Sequence, residues 1–192
     1  MNLAQLLNSI IPLTGADYEA DIVRHLNKGL LNLAQESSAV IRANSVTAAD
    51  GTVAVPESCL YIKGVYQDNV ELPRYHDDNL ADNAQGVASR CWVKDGDNIV
   101  IIPNPGANKA IQVAYVKKPA PLVNPEDTPE IDNADEYLIA YAVWRTRVES
   151  LGAIDDTTMY WRDIAMSEFR DWVNLNKKQE KRPRFVRYRP YY

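Results

Sequence analysis

The chain has 192 residues, of which 46% are hydrophobic and 24% are charged, and it contains two cysteines. That composition predicts a globular protein with a core of its own and excludes a disordered chain and a disulfide scaffold. The net charge of −5 is unevenly distributed, because residues 177–192 carry +6 and the preceding residues carry −11. An acidic body with a basic end indicates an interaction arm.

Two helices are predicted at the start of the chain. Leucine and isoleucine recur at helical spacing from Leu3 to Ile10, and we expect Pro12 to stop this first helix. A longer helix is predicted over about residues 17–42, with Thr14 or Asp17 as its cap and Gly29 as a tolerated weak point. Its apolar stripe consists of Val23, Leu26, Leu30, Leu33, Ser37 and Val40.

The hydrophobic period changes to that of strands from residue 45. An Asp-Gly turn at Asp50 and Gly51 predicts a hairpin between residues 46–48 and 53–55. Further strands are predicted at 60–66, 91–93, 99–102 and 110–116, with a second Asp-Gly turn at Asp95, and a short helix is expected within the polar stretch 76–85. Short strands with tight turns indicate an antiparallel meander or a small sandwich.

Residues 118–132 contain four prolines and predict an extended connector. Asn133, placed near a capping-box spacing from Glu136, then opens a helix that ends at Gly152. Its apolar stripe consists of Tyr137, Tyr141, Trp144, Val148 and Leu151. A last helix is predicted from Asp155 or Asp156 to about Lys178, with Met159, Met166, Phe169 and Val173 aligned and with Trp161, Ala165 and Trp172 flanking that line.

These elements predict an α+β fold: a bundle of about four helices, an inserted small antiparallel β-domain and an extended C-terminal tail. We assign residues 1–44 and 133–178 to the bundle, 45–132 to the β-block with its proline-rich connector, and 179–192 to a basic and aromatic tail. The two C-terminal helices are expected to pack against the second helix through the stripes named above, with Trp144 in the core.

Catalytic, cofactor-binding and metal sites are not predicted. His25 lies one turn from Asp21 and suits a surface ion pair, and His76 beside two aspartates reads as a solvated loop more than as a weak metal site. Cys59 and Cys91 lie among apolar strand residues and read as buried small hydrophobes. The sequence has neither a glycine-rich phosphate loop nor a serine elbow. A carboxylate pair able to cleave a glycoside stays open, because acids are plentiful.

The C-terminal tail carries the strongest functional signal. Guanidinium groups alternate with aromatic rings on a proline-stiffened segment, and these residue types are enriched at interface hot spots. Nucleic-acid binding is the alternative, since the same side chains stack on bases and pair with phosphates, but the acidic body would repel a nucleic-acid backbone. The candidate binding residues are Arg182, Arg184, Phe185, Arg187, Tyr188, Arg189, Tyr191 and Tyr192.

Three stretches of the chain resemble a known family. The first, Val55 to Val65, is similar to a strand that follows a proline corner. The second is similar to a pair of strands and consists of Ile101 to Pro105 and Ile111 to Tyr115 with Lys118-Pro119. The third is similar to a helix that follows a proline corner and runs from Ile131 to Asn133 into Glu136 to Ala142. The pattern, over about residues 15–178, resembles the head–tail adaptor proteins of tailed bacteriophages, also called connector or head-completion proteins. Asn133 departs from the family pattern, where a second proline is common.

The resemblance implies a structural virion protein, without enzymatic activity or cofactor, that forms a ring at the portal vertex after synthesis in the host cytoplasm. Its expected partners are further copies in a twelvefold ring, the portal protein and a downstream tail or nozzle protein. Genomic DNA would pass through the channel without specific binding, which an acidic lining favours. No membrane partner is expected. By analogy with family members that end in an extension, the C-terminal tail would dock on the portal.

Two alternatives stay open at this point. Some short-tailed phage adaptors carry a cell-wall hydrolase activity, which would require two facing carboxylates in a cleft, one with a raised pKa. The chain could also be another structural virion part of the same helix-plus-β type, such as a tail completion or tail terminator protein.

Overall fold

A computed structural model describes residues 1–36, 40–75 and 90–180. The described chain forms two compact units, one of residues 1–36 with 119–180 and one of residues 40–75 with 90–118. The first unit is helical and the second consists of antiparallel strands, so the predicted α+β class is confirmed. The predicted short helix within 76–85 and the extended tail of residues 181–192 lie outside the described residues.

Helix α1 (Leu3–Thr14) begins at a capping box, in which Asn2 and Gln5 exchange hydrogen bonds between side chain and backbone. The prediction that Pro12 stops this helix is wrong. Pro12 lies in the last turn, where it costs only one intrahelical hydrogen bond, and the helix ends at Gly15, whose φ of 107° suits glycine.

Helix α2 (Glu19–Glu36) follows a short 3₁₀ turn, Ala16–Tyr18, and buries Leu26, Leu30 and Leu33 as predicted. Its predicted extension to residue 42 is wrong: Val40 begins a strand, because pairing with a distant strand overrides local helical periodicity. Ser37, from the predicted stripe, lies outside the described residues. Gly29 is a point of close helix approach, since a Cβ there would lie 3.0 Å from the Cδ2 of Leu138.

The β-unit contains two antiparallel sheets. The first sheet has the order β1 (Val40–Val46), β7 (Ala110–Lys117), β3 (Cys59–Gln67) and β4 (Val70–Leu72). The second has the order β2 (Thr52–Ala54), β6 (Asn98–Ile102) and β5 (Cys91–Asp95). Buried side chains from both sheets form one core, which makes the unit a small sandwich; they include Val53, Val65, Trp92, Ile99, Ile101, Ile111 and Val113.

One predicted hairpin is present and one is wrong. β5 and β6 pair across the Asp95-Gly96 turn as expected. The Asp50-Gly51 turn also forms, but the segments on either side belong to different sheets, because β1 pairs with β7 and β2 pairs with β6. Strand β4 was not predicted: it pairs with β3 across a two-residue turn in which Asp68 and Asn69 adopt φ of 52° and 64°, a conformation usually signalled by glycine.

Helix α3 (Asp135–Glu149) lies at the centre of the helical unit and packs against the other three described helices of that unit. It is buried on nearly every side, so Leu138, Ala142 and Val143 are in the core beside the predicted Tyr137 and Tyr141. The predicted cap at Asn133 is wrong: Ala134 occupies the N-cap, and Asn133 adopts a φ of 55° in the preceding turn.

Helix α4 (Asp156–Glu180) begins where the sequence predicts, but only the second half of its predicted stripe is in the core. Met159 and Met166 are exposed, whereas Val173 is buried and Phe169 is partly buried against the core. The flanking residues also pack inwards: Ala165 and Trp172 are buried and Trp161 is partly buried. The indole Nε1 of Trp172 donates to the carbonyl of Asp132 at 3.1 Å. Together these contacts fix α4 against α3.

The connector over residues 118–132 contains no helix or strand, as predicted. Leu122 in its middle is buried in the helical core, and the Asn27 side chain both accepts from the Leu122 amide at 2.7 Å and donates to its carbonyl at 3.0 Å. From residue 119 the connector therefore packs with the helices, whereas the sequence predicts it as part of the β-block.

Candidate functional site

The tail residues that the sequence singled out, from Arg182 to Tyr192, lie outside the described residues. Their role in binding stays a prediction. The described chain reaches Glu180 at the end of α4, which is the point from which this basic segment continues.

The two histidines differ from what the sequence suggests. His25 was expected on the surface beside Asp21, but it is 1% exposed and faces α3, where its Nε2 lies 3.6 Å from a carboxylate oxygen of Glu149. Asp21 pairs with Arg24 at 3.0 Å instead. Neither ring nitrogen of His25 forms a hydrogen bond within the described residues. His76 lies outside them.

Both cysteines are poor nucleophiles in this fold. Cys91 is buried and Cys59 is half-buried, and burial raises the pKa of each thiol. The predicted role of Cys91 as a buried apolar residue is confirmed. In the parts of the chain that the structure describes, no group of three or more His, Cys, Asp or Glu side chains is arranged to hold a metal ion.

A concave surface lies over α3 between α2 and α4. We call it the aromatic groove; its volume is about 360 Å³ and it is lined by Asn32, Gln35, Glu36, Tyr137, Tyr141, Trp144, Ala165, Met166 and Phe169. The floor comes from α3, where residues at positions i, i+4 and i+7 share one side of a helix. The walls come from the last turns of α2 and the middle of α4.

The rings of the aromatic groove hold each other in place. Tyr137 lies with its ring centroid 5.5 Å from that of Tyr141 and 5.4 Å from that of Phe169, and Tyr141 meets Trp144 edge to face at 5.8 Å. These separations are those of favourable aromatic pairs. Burial raises the pKa of Tyr137 to about 12, and its hydroxyl oxygen accepts a hydrogen bond from the Asn32 side-chain amide at 3.4 Å.

A second concavity of about 490 Å³ adjoins the aromatic groove, with which it shares Trp144 and Met166. We call it the arginine hollow, because Arg162 and Arg170 line it, together with Asp163 and Ser167. Arg162 pairs with Asp163 at 2.9 Å. The guanidinium carbon of Arg145 also lies 5.3 Å from the ring centroid of Trp144. The groove therefore combines an apolar floor with a partly cationic edge, which are features of a protein-binding surface.

The helical spacing predicts that these aromatic residues lie in the core. That reading is half right, since Tyr137 and Tyr141 are buried while the edges of their rings form the groove floor. Spacing alone could not separate the two roles. The sequence feature that indicates the groove is on α4, where Met159 and Met166 lie on a different line from Ala165 and Trp172. This offset leaves Met166 exposed beside Trp144.

Glu168 on α4 has a carboxyl group with a raised pKa. Burial, with the nearby carboxylates of Glu136 and Asp171, raises the pKa of the Glu168 carboxyl. Neither Glu168 nor Glu136 lines the aromatic groove or the arginine hollow. The raised pKa of Glu168 is thus a feature separate from these two concave surfaces.

The architecture is that of an α+β protein in which a β-sandwich is inserted into the sequence of a helical unit that has an aromatic groove. Comparison with known families then identifies the chain. It matches the family described as SU10 adaptor protein over residues 1–184, and it belongs to that family. No curated protein matches the sequence significantly.

Membership confirms the resemblance drawn from the sequence and makes the chain a bacteriophage head–tail adaptor, a structural component of the virion. Among residues 1–36 and 90–180, no helix combines the length and the apolar composition that a membrane span needs.

Proposed function

We propose that this adaptor forms a ring, expected to be twelvefold, between the portal and the tail, and that the ring extends the DNA channel at the capsid vertex. The observation that carries the proposal is the family match over residues 1–184. A channel component has to let DNA slide, and residues 1–176 carry a net charge of −11. Like charges repel, so an acidic lining would keep phosphates from adhering to the wall.

The docking arm in this proposal is the C-terminal tail. Four arginines would pair with portal carboxylates through their planar guanidinium groups, and four aromatic side chains would fill apolar pockets. Ordering an extended segment costs about 1–2 kcal/mol per residue, so several anchors have to act together. The arm residues are Arg182, Arg184, Phe185, Arg187, Tyr188, Arg189, Tyr191 and Tyr192. The opposite side of the ring would receive the downstream tail or nozzle protein.

The test is binding of the purified protein to purified portal rings. Deletion of residues 182–192 should leave a folded protein, since the described helical and β-cores lie upstream, and portal binding should fall by at least tenfold. Two full-length variants separate the contributions: one replaces the four arginines with glutamine, and the other replaces Phe185, Tyr188, Tyr191 and Tyr192 with serine. We expect both to weaken binding, and only the first to remove most of its salt dependence. Unchanged affinity after deletion would contradict the docking role.

A further inference from the structure

The turn between α3 and α4 presents apolar side chains to solvent. Ile154 is 82% exposed, and Leu151 and Tyr160 on either side of it are also exposed. We call these three residues the apex. Asp155 and Asp156 follow Ile154 directly, and Asp155 is held by Arg147 at 2.8 Å and by hydrogen bonds from Thr158. The apex is therefore an ordered apolar projection with acidic residues beside it.

The aromatic groove has the complementary chemistry. Its floor is formed by three aromatic rings of α3, and the adjoining hollow carries Arg170 beside the ion pair of Arg162 with Asp163. An isoleucine side chain inserted over Trp144 would bring Asp156 towards the guanidinium group of Arg170. Arg and Trp are enriched where protein interfaces concentrate their binding energy.

We propose that the apex of one copy of this chain binds the aromatic groove of a second copy, with Asp156 facing Arg170. The proposal rests on the ring proposed above and names its contact surface. A second copy is the occupant because one helical unit carries both an acidic apolar projection and an aromatic groove with a cationic edge. The two surfaces are different, so the contact is head-to-tail, and repeating it leads from copy to copy around a closed ring.

Single-cysteine variants test this geometry. Ile154→Cys places a thiol on the apex, and Met166→Cys, at a residue that is 43% exposed, places one in the groove. Under mild oxidation, a mixture of the two variants should form a disulfide-linked heterodimer, and neither variant alone should do so. Val123→Cys replaces Ile154→Cys in the control, because Val123 is an apolar residue of the same unit with 69% exposure. The wild type controls for Cys59 and Cys91.

The mixture is oxidised both free and bound to portal rings, so that two failures can be told apart. If the unmodified protein does not bind portal rings, the proposed function is overturned. Portal binding without the Ile154–Met166 cross-link would overturn only the interface. A cross-link from either variant alone that equals that of the mixture would also overturn the interface, because it indicates a two-fold or non-specific contact. A disulfide between the Met166→Cys variant and the portal protein would likewise overturn the interface.

Charge reversal gives a second, independent readout. Asp156→Arg and Arg170→Asp should each weaken self-association by about tenfold, and the double variant should recover most of the wild-type affinity. Both positions are on the surface of α4, so the circular dichroism of each variant should match that of the wild type. Single variants that associate like the wild type, or a double variant that associates no better than either single one, would overturn the pairing.

Discussion

His25 has no hydrogen-bond partner that offsets its burial within the described residues. It faces Glu149 on α3, and the charged groups around it are Arg24, Lys28 and Arg145, which disfavour a positive imidazole, and Asp21, which favours one. Burial, followed by the repulsion of Arg24, lowers the pKa of His25 to about 4 from an ordinary value of 6.5. The residue therefore stays neutral in the folded protein at pH values where the unfolded chain binds a proton.

This difference predicts acid sensitivity. The stabilising effect of a neutral His25 is complete above pH 6.5 and is lost as the pH falls towards 4, with a total loss of about 3 kcal/mol in the free energy of unfolding. Denaturant unfolding at several pH values measures it. His25→Leu should remove this part of the pH dependence, whereas His76→Leu is the matched control and should retain it. An unchanged pH profile in His25→Leu would contradict the assignment.

At the scale of elements, the sequence predicts helices and strands correctly where the local hydrophobic period is strong. It does not predict which distant strands pair with each other. Helix α2 and strands β3, β6 and β7 follow from spacing and residue type. The early end of α2 and the separation of β1 from β2 follow from pairing with β7 and β6, whose paired residues lie 44 to 76 positions away in sequence. Strand β4 follows a turn in which Asp68 and Asn69 both adopt positive φ. Because neither residue is glycine, the sequence does not signal this turn.

The sequence predicts the candidate site only in part, because the site also depends on packing between distant elements. Its aromatic residues were identified, but whether a helical stripe is buried or lines a groove depends on how far the neighbouring helices cover it. On α4 two apolar lines lie side by side, and packing against α3 selected the line through Ala165 and Trp172. Of the predicted line, Met159 and Met166 are exposed, whereas Phe169 and Val173 pack against the core.

Trp144 of α3 and Trp172 of α4 give a direct test of this packing. Trp172 is 6% exposed and hydrogen-bonded, so Trp172→Ala should cost about 3–5 kcal/mol in the free energy of unfolding. Trp144 is half-buried and lines both concavities, so Trp144→Ala should cost less than half as much while weakening self-association. Equal costs for the two variants in chemical denaturation would contradict this packing of α4.

At the scale of the whole molecule, charge and sequence order support the adaptor role together. Acidic residues dominate the first 176 positions, and the basic residues of 177–192 follow at the end of α4. In the proposed adaptor, the acidic body would repel DNA and the basic end would bind an acidic partner. The β-sandwich is inserted between the helices, so it adds a second unit without interrupting the helical core.

Electron cryo-microscopy of the protein bound to purified portal tests the central claim most directly. We predict one ring of this adaptor beneath the portal, with twelve copies around the channel, the apex of each copy in the groove of the next, and residues 182–192 lying against portal subunits. A protein that binds only the tail tube, or that forms no ring at the portal, would contradict the account.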